Sequence, residues 1–386
     1  MFSGAVFRTL RILLLFVHKT PHFLPALPPF TCRYHPQFPE LLQRLGCTLA
    51  ISTYQAGKLI FLSAPDGQRL IQLPRTFDKV MGIAERSDGA ALALACRHDI
   101  TVFAQHTELA AHYPKAPGRY DALYLPRVSY HTGALDIHDM AYGVEDRLFA
   151  VNTLFSCIMT LDGHHNFVPY WQPSFVDALS GEDRCHLNGM AMENGLPRYA
   201  TAFSQTNTRQ GWRSRVTETG VVLDVTTGQT LAEGLAMPHT PRLFNGELYV
   251  LLSARGELVR IDRNTGAPET VVHIGGFVRG MALIDDYLFV ARSKLRENSS
   301  TFAHLQLPAE TNRASVVAVH LPSGSLAGEV TWQNSLDEIY DVHILRGKRR
   351  PNILNTRTED HLLAVATPES SFWARARTTS NDAAAS

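Results

Sequence analysis

The sequence has little of what would assign a chain to a specialised class of protein. Its 36 basic residues equal its 36 acidic ones, so no net charge attracts nucleic acid or anionic lipid. Residues 12–17 form an apolar run that is too short for a signal-peptide core or a membrane span. We therefore expect no nucleic-acid partner and no membrane-spanning segment.

Cysteine is also scarce and irregularly placed. The five cysteines show no CxxC spacing, and their odd number argues against a disulfide framework; they are Cys32, Cys47, Cys96, Cys157 and Cys185. Because free thiols persist in reducing compartments, the composition predicts a cytoplasmic protein.

Familiar catalytic motifs are missing as well. Ser52, Ser204 and Ser253 lie in no GxSxG turn, and the glycine pairs lack the strand–loop–helix context of a phosphate-binding loop. A hydrolase triad and a nucleotide cradle therefore have no support in the sequence. The 45% apolar and 19% charged residues are typical of a soluble globular domain with an ample core.

What the sequence does contain is a repeat. Six short segments align with one another; they are residues 79–84, 136–141, 186–191, 239–244, 277–282 and 338–343. Most are followed by a turn signal, such as Asn245-Gly246, and then by a β-rich run. Strand–turn–strand units that recur roughly every 40 to 60 residues predict an all-β protein, a six-bladed β-propeller.

The extent of the repeat sets the expected domain boundaries. We expect one propeller over residues 41–365, an N-terminal extension over residues 1–40 that is poorly ordered or peripheral, and a disordered tail over residues 366–386. The last blade, which contains Tyr340, is incomplete at its carboxyl end. Strands predicted between Thr48 and Leu62 can complete it, which would close the ring and hide its edges.

Several of the repeated motifs resemble one family. The runs TYQAGKL (residues 53–59), CHLNGMA (185–191), MPHTPR (237–242) and GFVRGMA (276–282) are similar to those of uncharacterised bacterial propeller-like proteins, a domain of unknown function. The likeness extends over most of the repeat. It implies a propeller fold, and it implies no particular activity.

Two columns of the aligned repeat carry mostly polar residues that differ between blades. Alternation along the inner strands places both columns at the mouth of the central channel. Six blades would therefore bring together Asp136, His138, His186, Asn188, His239, Arg279, Glu338 and Tyr340. A neighbouring column is apolar or β-branched, as packing between blades requires; it contains Val80, Ile137, Leu187, Thr240, Val278 and Ile339.

These residue types suggest roles in a small-molecule site. His186, His239 and Glu338 would hold one divalent metal ion, with the Asn188 carbonyl as a further ligand. His138, oriented by Asp136 or Asp139, would serve as general base. Arg279 and Arg242 would clamp an anionic group, with Tyr340 beside the ligand. A metal-free polar site and a purely structural cap stay open as alternatives.

Two long loops bear on the same mouth. Residues 204–213 and 293–315 should overhang it, and there Trp212 and Phe302 would either cover a ligand or anchor their own loops. The favoured function is binding of a small polar or anionic ligand by a metal-assisted hydrolase, lactonase or lyase. The alternative is a scaffold that docks a peptide or partner protein. A deep, enclosed mouth would favour catalysis, whereas a broad, flat aromatic face would favour a partner.

Overall fold

The chain folds into six sheets arranged around one axis. The computed structural model describes residues 27–295, 302, 305 and 307–374. Four antiparallel strands of each sheet form one blade. In blades 1 to 5 the innermost strand is also the first of the blade along the chain. The all-β, six-bladed prediction is confirmed.

The strands of the blades are given from the axis outward. Blade 1 comprises Ile83–Glu85, Ala91–Ala95, Ile100–His106 and Ala122–Tyr130; blade 2 comprises Ile137–Tyr142, Leu148–Asn152, Cys157–Thr160 and Val168–Trp171; blade 3 comprises Leu187–Glu193, Leu196–Ala202, Gly220–Asp224 and Thr230–Leu235. Blade 4 comprises Pro238–Phe244, Glu247–Leu252, Glu257–Ile261 and Pro268–His273; blade 5 comprises Phe277–Ile284, Tyr287–Ser293, Ser315–His320 and Ser325–Trp332; blade 6 comprises Asp341–Arg346, Cys47–Ser52, Lys58–Ser63 and Ile71–Thr76.

Blade 6 closes the ring with strands from both ends of the repeat. Its inner strand pairs with an N-terminal strand, so that Asp341 lies opposite Ser52 and Arg346 lies opposite Cys47. Each inner strand also contacts the inner strands of the two neighbouring blades, all the way round the axis. This confirms the predicted closure, which leaves no open end to the array.

Two short strands extend the blades at their outer edges. Cys32–Tyr34 pairs with the outer strand of blade 5, and Pro351–Ile353 runs parallel to the outer strand of blade 1. The helix Phe38–Arg44 follows the first of these strands, and its Phe38 ring lies 5.9 Å from the ring of Phe289. The described part of the predicted N-terminal extension is therefore peripheral, while residues 1–26 lie outside the described residues.

The predicted disordered tail is wrong for its first part. Ala364–Ala366 and Ser371–Trp373 form a hairpin, and the Trp373 indole N–H donates to the carbonyl of Leu109 at 3.0 Å. The Trp373 ring also lies 5.4 Å from that of Tyr113. One half-buried aromatic anchor thus orders a segment whose polar composition suggested disorder. Residues 375–386 lie outside the described residues.

The remaining helical segments are short. They are the helix Thr107–Ala111 and the 3-10 turns Tyr54–Ala56, Val144–Asp146, Gly211–Arg215, Ala309–Thr311 and Glu359–Leu363. Within the described ranges, no helix has the length and apolar character needed to cross a membrane. The five cysteines are free thiols.

Sequence explains both the blade hairpins and the packing between blades. Asn194-Gly195 and Asn245-Gly246 have positive φ at both residues, as the two-residue type I′ hairpin turn requires. The apolar column of the repeat is buried between blades, from fully enclosed Val80 and Leu187 to Thr240 at 9% exposure. The side-chain role predicted for that column is confirmed.

Candidate functional site

A β-bulge occurs at the same repeat position in the inner strands of blades 2 to 5. In blade 2 the inner strand advances three residues from Ile137 to Met140, while its partner strand advances only two. Blade 4 has the same mismatch between His239 and Arg242. The extra residue interrupts the in-and-out alternation of side chains. Adjacent residues such as His138 and Asp139 therefore both line the channel.

The channel opens at one end into a pocket of about 270 Å³, which we call the mouth pocket. Seven of the eleven residues predicted for the site line it: Asp136, His138, His186, Trp212, Arg279, Glu338 and Tyr340. Phe302 also lines it, so the described parts of both long loops reach the mouth as predicted. Tyr54, Met81, Phe203 and Arg213 complete the lining.

The other four predicted residues lie deeper along the axis. Asp139, Asn188, His239 and Arg242 line a cavity of about 10 Å³, which we call the axial cavity and which has room for about one water molecule. His138, Arg279 and Tyr340 line both spaces. The two columns of the repeat thus predicted the convergence of eight of these residues, although they did not separate the two levels.

Polar atoms in the axial cavity are not all satisfied by the protein. Asn188 Nδ2, His239 Nε2, Arg279 Nε and the Tyr340 hydroxyl are buried without a hydrogen-bond partner among the described residues. Such atoms are uncommon in folded proteins because an unsatisfied buried polar group costs about 1–3 kcal/mol. These four atoms are concentrated at one point of the axis.

His138 is held by the backbone and by a hydroxyl group. Its Nδ1 lies 2.9 Å from the carbonyl oxygen of Asp136 and 2.8 Å from Thr153 Oγ1, which itself donates to the carbonyl of Leu187. Because that carbonyl of Asp136 can only accept, Nδ1 carries the hydrogen. Burial lowers the pKa of His138 to about 4, so the ring is neutral at pH 7.

The predicted orienting carboxylates of His138 act differently. Asp136 holds the ring through its main chain, because its carboxylate is 3.9 Å from Nδ1 and its side chain is 46% exposed. Asp139 does not reach the ring and instead receives the guanidinium of Arg242. Assigning Asp139 to the orientation of His138 was therefore wrong.

His186 has the arrangement that was expected of His138. Both carboxylate oxygens of Asp183 lie 3.1 Å from His186 Nδ1, and Asp183 Oδ2 also accepts the Trp212 indole N–H at 3.0 Å. The His186 ring lies 4.5 Å from the ring of Phe203 and 4.3 Å from that of Trp212, and these two rings are 5.3 Å from each other, so the three form one cluster. Two aromatic contacts and one carboxylate therefore fix the orientation of this imidazole.

Sequence reasoning missed Asp183. It lies in the turn that enters blade 3, outside the aligned columns, and has a left-handed backbone with φ of 49°. The available signal was its spacing three residues before His186, which a tight turn can bring into contact.

His239 repeats the geometry of His138 at a lower level. Its Nδ1 contacts Ser253 Oγ at 2.6 Å and the carbonyl of Met237 at 3.2 Å, and Ser253 donates to the carbonyl of Val278. Burial, reinforced by the charge of Arg279, lowers the pKa of His239 well below its ordinary value. At 3% exposure this neutral ring does not reach the mouth pocket.

Arg279 and Glu338 form the buried ion pair of the mouth. Arg279 Nη1 is 3.0 Å from Glu338 Oε1, and the two side chains are 9% and 8% exposed. The guanidinium carbon lies 4.9 Å from the ring centre of Phe277 and 5.2 Å from that of Tyr340. This pairing and stacking orient the guanidinium without using all of its donors.

Arg242 does not reach the mouth pocket, although substrate binding was predicted for it. Its Nη1 and Nη2 meet Asp139 Oδ2 and Oδ1 at 2.7 and 3.0 Å, and Nη1 also donates to the carbonyl of Met190. The guanidinium thus ties blade 4 to blades 2 and 3. In the fold, Arg242 therefore serves as the salt-bridge partner of Asp139.

The described residues give the predicted metal site no ligand set. Among them, no three His, Cys, Asp or Glu side chains are grouped as metal ligands. Glu338 is paired with Arg279, and the Asn188 carbonyl oxygen already accepts the hydroxyl of Thr201 at 2.7 Å.

A larger groove lies away from the axis. It has a volume of about 840 Å³ and separates the helix Phe38–Arg44 from the outer strand of blade 5. It contains none of the eleven predicted residues. Greater volume alone does not make it the better site, because the converging buried polar groups are at the axis.

The fold and the site define a six-bladed β-propeller with a polar pocket at the mouth of its axial channel. A chain in the crystal structure of a nidogen/laminin complex is similar, with 11% identity, a TM-score of 0.51 and coverage of 78% of this chain and 99% of that chain. A protein of unknown function from Bacteroides caccae is also similar, at 9% identity and a TM-score of 0.47 over the same shares of the two chains. The first likeness concerns the fold alone.

Residues 36–354 match the family model of DUF4915, a domain of unknown function. The chain therefore belongs to this family, as the motifs of the repeat indicated. No curated protein matches the sequence.

Proposed function

We propose that the mouth pocket binds a small molecule through an anionic group, and that Arg279 receives this group. The supporting observation is the orientation of Arg279, which is buried, stacked on two rings and left with an Nε that has no hydrogen-bond partner among the described residues. A guanidinium fixed in this way matches a carboxylate, since it offers parallel N–H donors.

The shape of the site favours a small ligand over a protein partner. The mouth pocket, at about 270 Å³, is slightly smaller than the sites of drug-sized ligands, which span about 300–1,000 Å³. Three aromatic side chains line it, those of Trp212, Phe203 and Phe302. A ligand with a flat apolar body would therefore lie against aromatic faces. Docking of a peptide or partner protein would call for a broader face.

Benzoate is a suitable probe, with benzyl alcohol as its neutral counterpart. We expect calorimetry to detect binding of benzoate and not of benzyl alcohol. The variant Glu338→Gln keeps the guanidinium and removes its competing carboxylate, so benzoate should bind more tightly. In the double variant Arg279→Gln/Glu338→Gln both buried charges are gone, and binding should be lost.

The control is Arg260→Gln, which removes an exposed guanidinium paired with Glu269. It should leave the affinity for benzoate unchanged. Equal binding of benzoate by the double variant and the wild type would refute the proposal, provided that thermal unfolding shows the variant to be folded.

A further inference from the structure

We propose that the mouth pocket catalyses a metal-independent elimination on a small carboxylate, with His186 as general base and Asp183 as its positioning residue. This inference rests on the proposed function, because Arg279 would hold the carboxylate end of the substrate. It narrows the lyase class named from the sequence to a metal-free elimination, and it assigns a base and a positioning residue that the sequence did not indicate.

The hydrogen-bonding pattern makes His186 a base. Ionised Asp183 can only accept, so the hydrogen of the His186 ring is on Nδ1 and the lone pair is on Nε2. The carboxylate stabilises the imidazolium that forms when Nε2 takes a proton. Asp183 is itself fixed by the Trp212 N–H, so neither partner is free to turn away.

The pocket also separates the anion-binding group from the base. Ring contacts run from Arg279 to Tyr340 at 5.2 Å, from Tyr340 to His138 at 5.3 Å, and from His138 to His186 at 4.9 Å. Tyr340 and His138 therefore link the guanidinium to the base in one series of contacts. A substrate whose carboxylate sits at Arg279 would present another of its atoms to His186.

The lining chemistry favours proton removal over covalent catalysis. Among the described residues of the mouth pocket none is Ser, Thr, Cys or Lys, so these four types of nucleophile are missing there. His186 packs against two aromatic rings, and a base shielded from water removes protons from carbon more readily than a hydrated one.

The reaction balances within the substrate and His186. The substrate C–H bond breaks, its proton passes to His186 Nε2, and its electron pair forms the new double bond. The adjacent bond to the leaving group breaks, and that electron pair departs with the leaving group. The proton on His186 then returns to the leaving group or to solvent, which restores the base.

The chain offers a matched control for the pair. His165 Nδ1 lies 2.8 Å from Asp162 Oδ2 on the surface, where the His165 side chain is 69% exposed. That pair has the same two residue types at the same spacing of three, without aromatic walls or a pocket. It should contribute no more than a free imidazole in solution.

The test uses 5-nitrobenzisoxazole, whose base-catalysed elimination breaks a C–H and an N–O bond and releases a coloured phenolate. We expect EDTA-treated wild-type protein to convert it faster than free imidazole at equal concentration. His186→Ala should reduce the rate by at least about 100-fold, within the range for general bases. His165→Ala should leave the rate unchanged.

The pH profile separates positioning from mere packing. Asp183→Asn should lower the rate and move the midpoint of its pH dependence downward, since the neutral amide no longer stabilises the imidazolium. Benzoate binding to His186→Ala and Asp183→Asn confirms that the pocket is intact. A wild-type rate equal to that of imidazole, or full activity in His186→Ala, overturns the elimination.

The two proposals fail in different ways. If benzoate binds but the probe is not converted, the proposed elimination is wrong and the proposed function still holds. If the probe is converted but benzoate does not bind, Arg279 is not the anion-binding group, although His186 still acts as a base. The substrate would then not be a carboxylate, and the inference as stated would be wrong.

Discussion

Arg242 of blade 4 meets Asp139 of blade 2 in a two-pronged ion pair beneath the mouth pocket, with both N–O distances at or below 3.0 Å. Asp139 Oδ2 also accepts the backbone N–H of Met190, so blade 3 is joined to the same carboxylate. Three blades thus share one buried charge pair. This places the pair in the architecture of the ring, below the site where a ligand would bind.

Breaking this pair from one side should destabilise the protein strongly. Arg242→Met leaves the Asp139 carboxylate buried beside no guanidinium, and we expect the free energy of unfolding to fall by about 3–5 kcal/mol. Chemical denaturation measures it. The double variant Arg242→Met/Asp139→Leu should recover most of the lost stability and bind benzoate normally. If this folded double variant binds benzoate poorly, that result would support the substrate-binding role first predicted for Arg242.

The Trp212 indole can be tested without removing its aromatic face. Trp212→Phe keeps a ring against His186 and deletes the N–H donor to Asp183, so stability should fall by about 1–3 kcal/mol. Conversion of 5-nitrobenzisoxazole should fall as well, because the carboxylate loses its anchor. Trp171→Phe, on the outer strand of blade 2, is the control for indole loss. No effect of Trp212→Phe on either measurement would contradict the assigned contact.

His138 should make stability depend on pH in the acidic range. Its pKa in the folded state, about 4, is below the unfolded value of about 6.5, so the unfolded chain binds the extra proton between these values. The contribution to stability is complete above pH 6.5 and is lost as the pH falls to about 4, by about 3 kcal/mol. His138→Gln should flatten the unfolding free energy over this interval, whereas an unchanged slope would show that His138 titrates normally.

Asp341 should have the opposite effect. Burial raises its pKa to about 6, above the unfolded value of about 3.9, so the folded protein holds a proton that the unfolded chain has lost. Stability from this residue is present near pH 4 and is lost as the pH rises through 6. Asp341→Asn should therefore raise the free energy of unfolding by about 3 kcal/mol at pH 7.5 and change it little at pH 4; equal effects at both pH values would disprove the shift.

The repeat predicted the blades and the convergence at the axis because both follow from periodicity. The number of blades, the closing strands and the burial of Val80 and Ile339 all depend on which positions recur. Periodicity could not predict the level of each residue along the channel. The bulges add one residue to the inner strands, so Asp139 and Arg242 face the axis where simple alternation would turn them away.

Asp183 shows a second limit of sequence reasoning. It acts on His186 through a turn that belongs to a single blade, so aligning the six segments could not reveal it. The metal ligands were also inferred from residue type alone. Histidines and a carboxylate do converge, but the pairing of Glu338 with Arg279 depends on side-chain geometry that the register of the repeat does not contain.

The closure of blade 6 has a consequence for how the protein is made. The backbone N–H of Asp341 donates to the Ser52 hydroxyl across a sequence separation of 289 residues. At about 5–20 residues per second, a ribosome needs roughly 15–60 s to pass from one partner to the other. During that interval the strand Cys47–Ser52 has no inner neighbour, and the backbone N–H and C=O groups along that edge stay unpaired until the inner strand of blade 6 emerges.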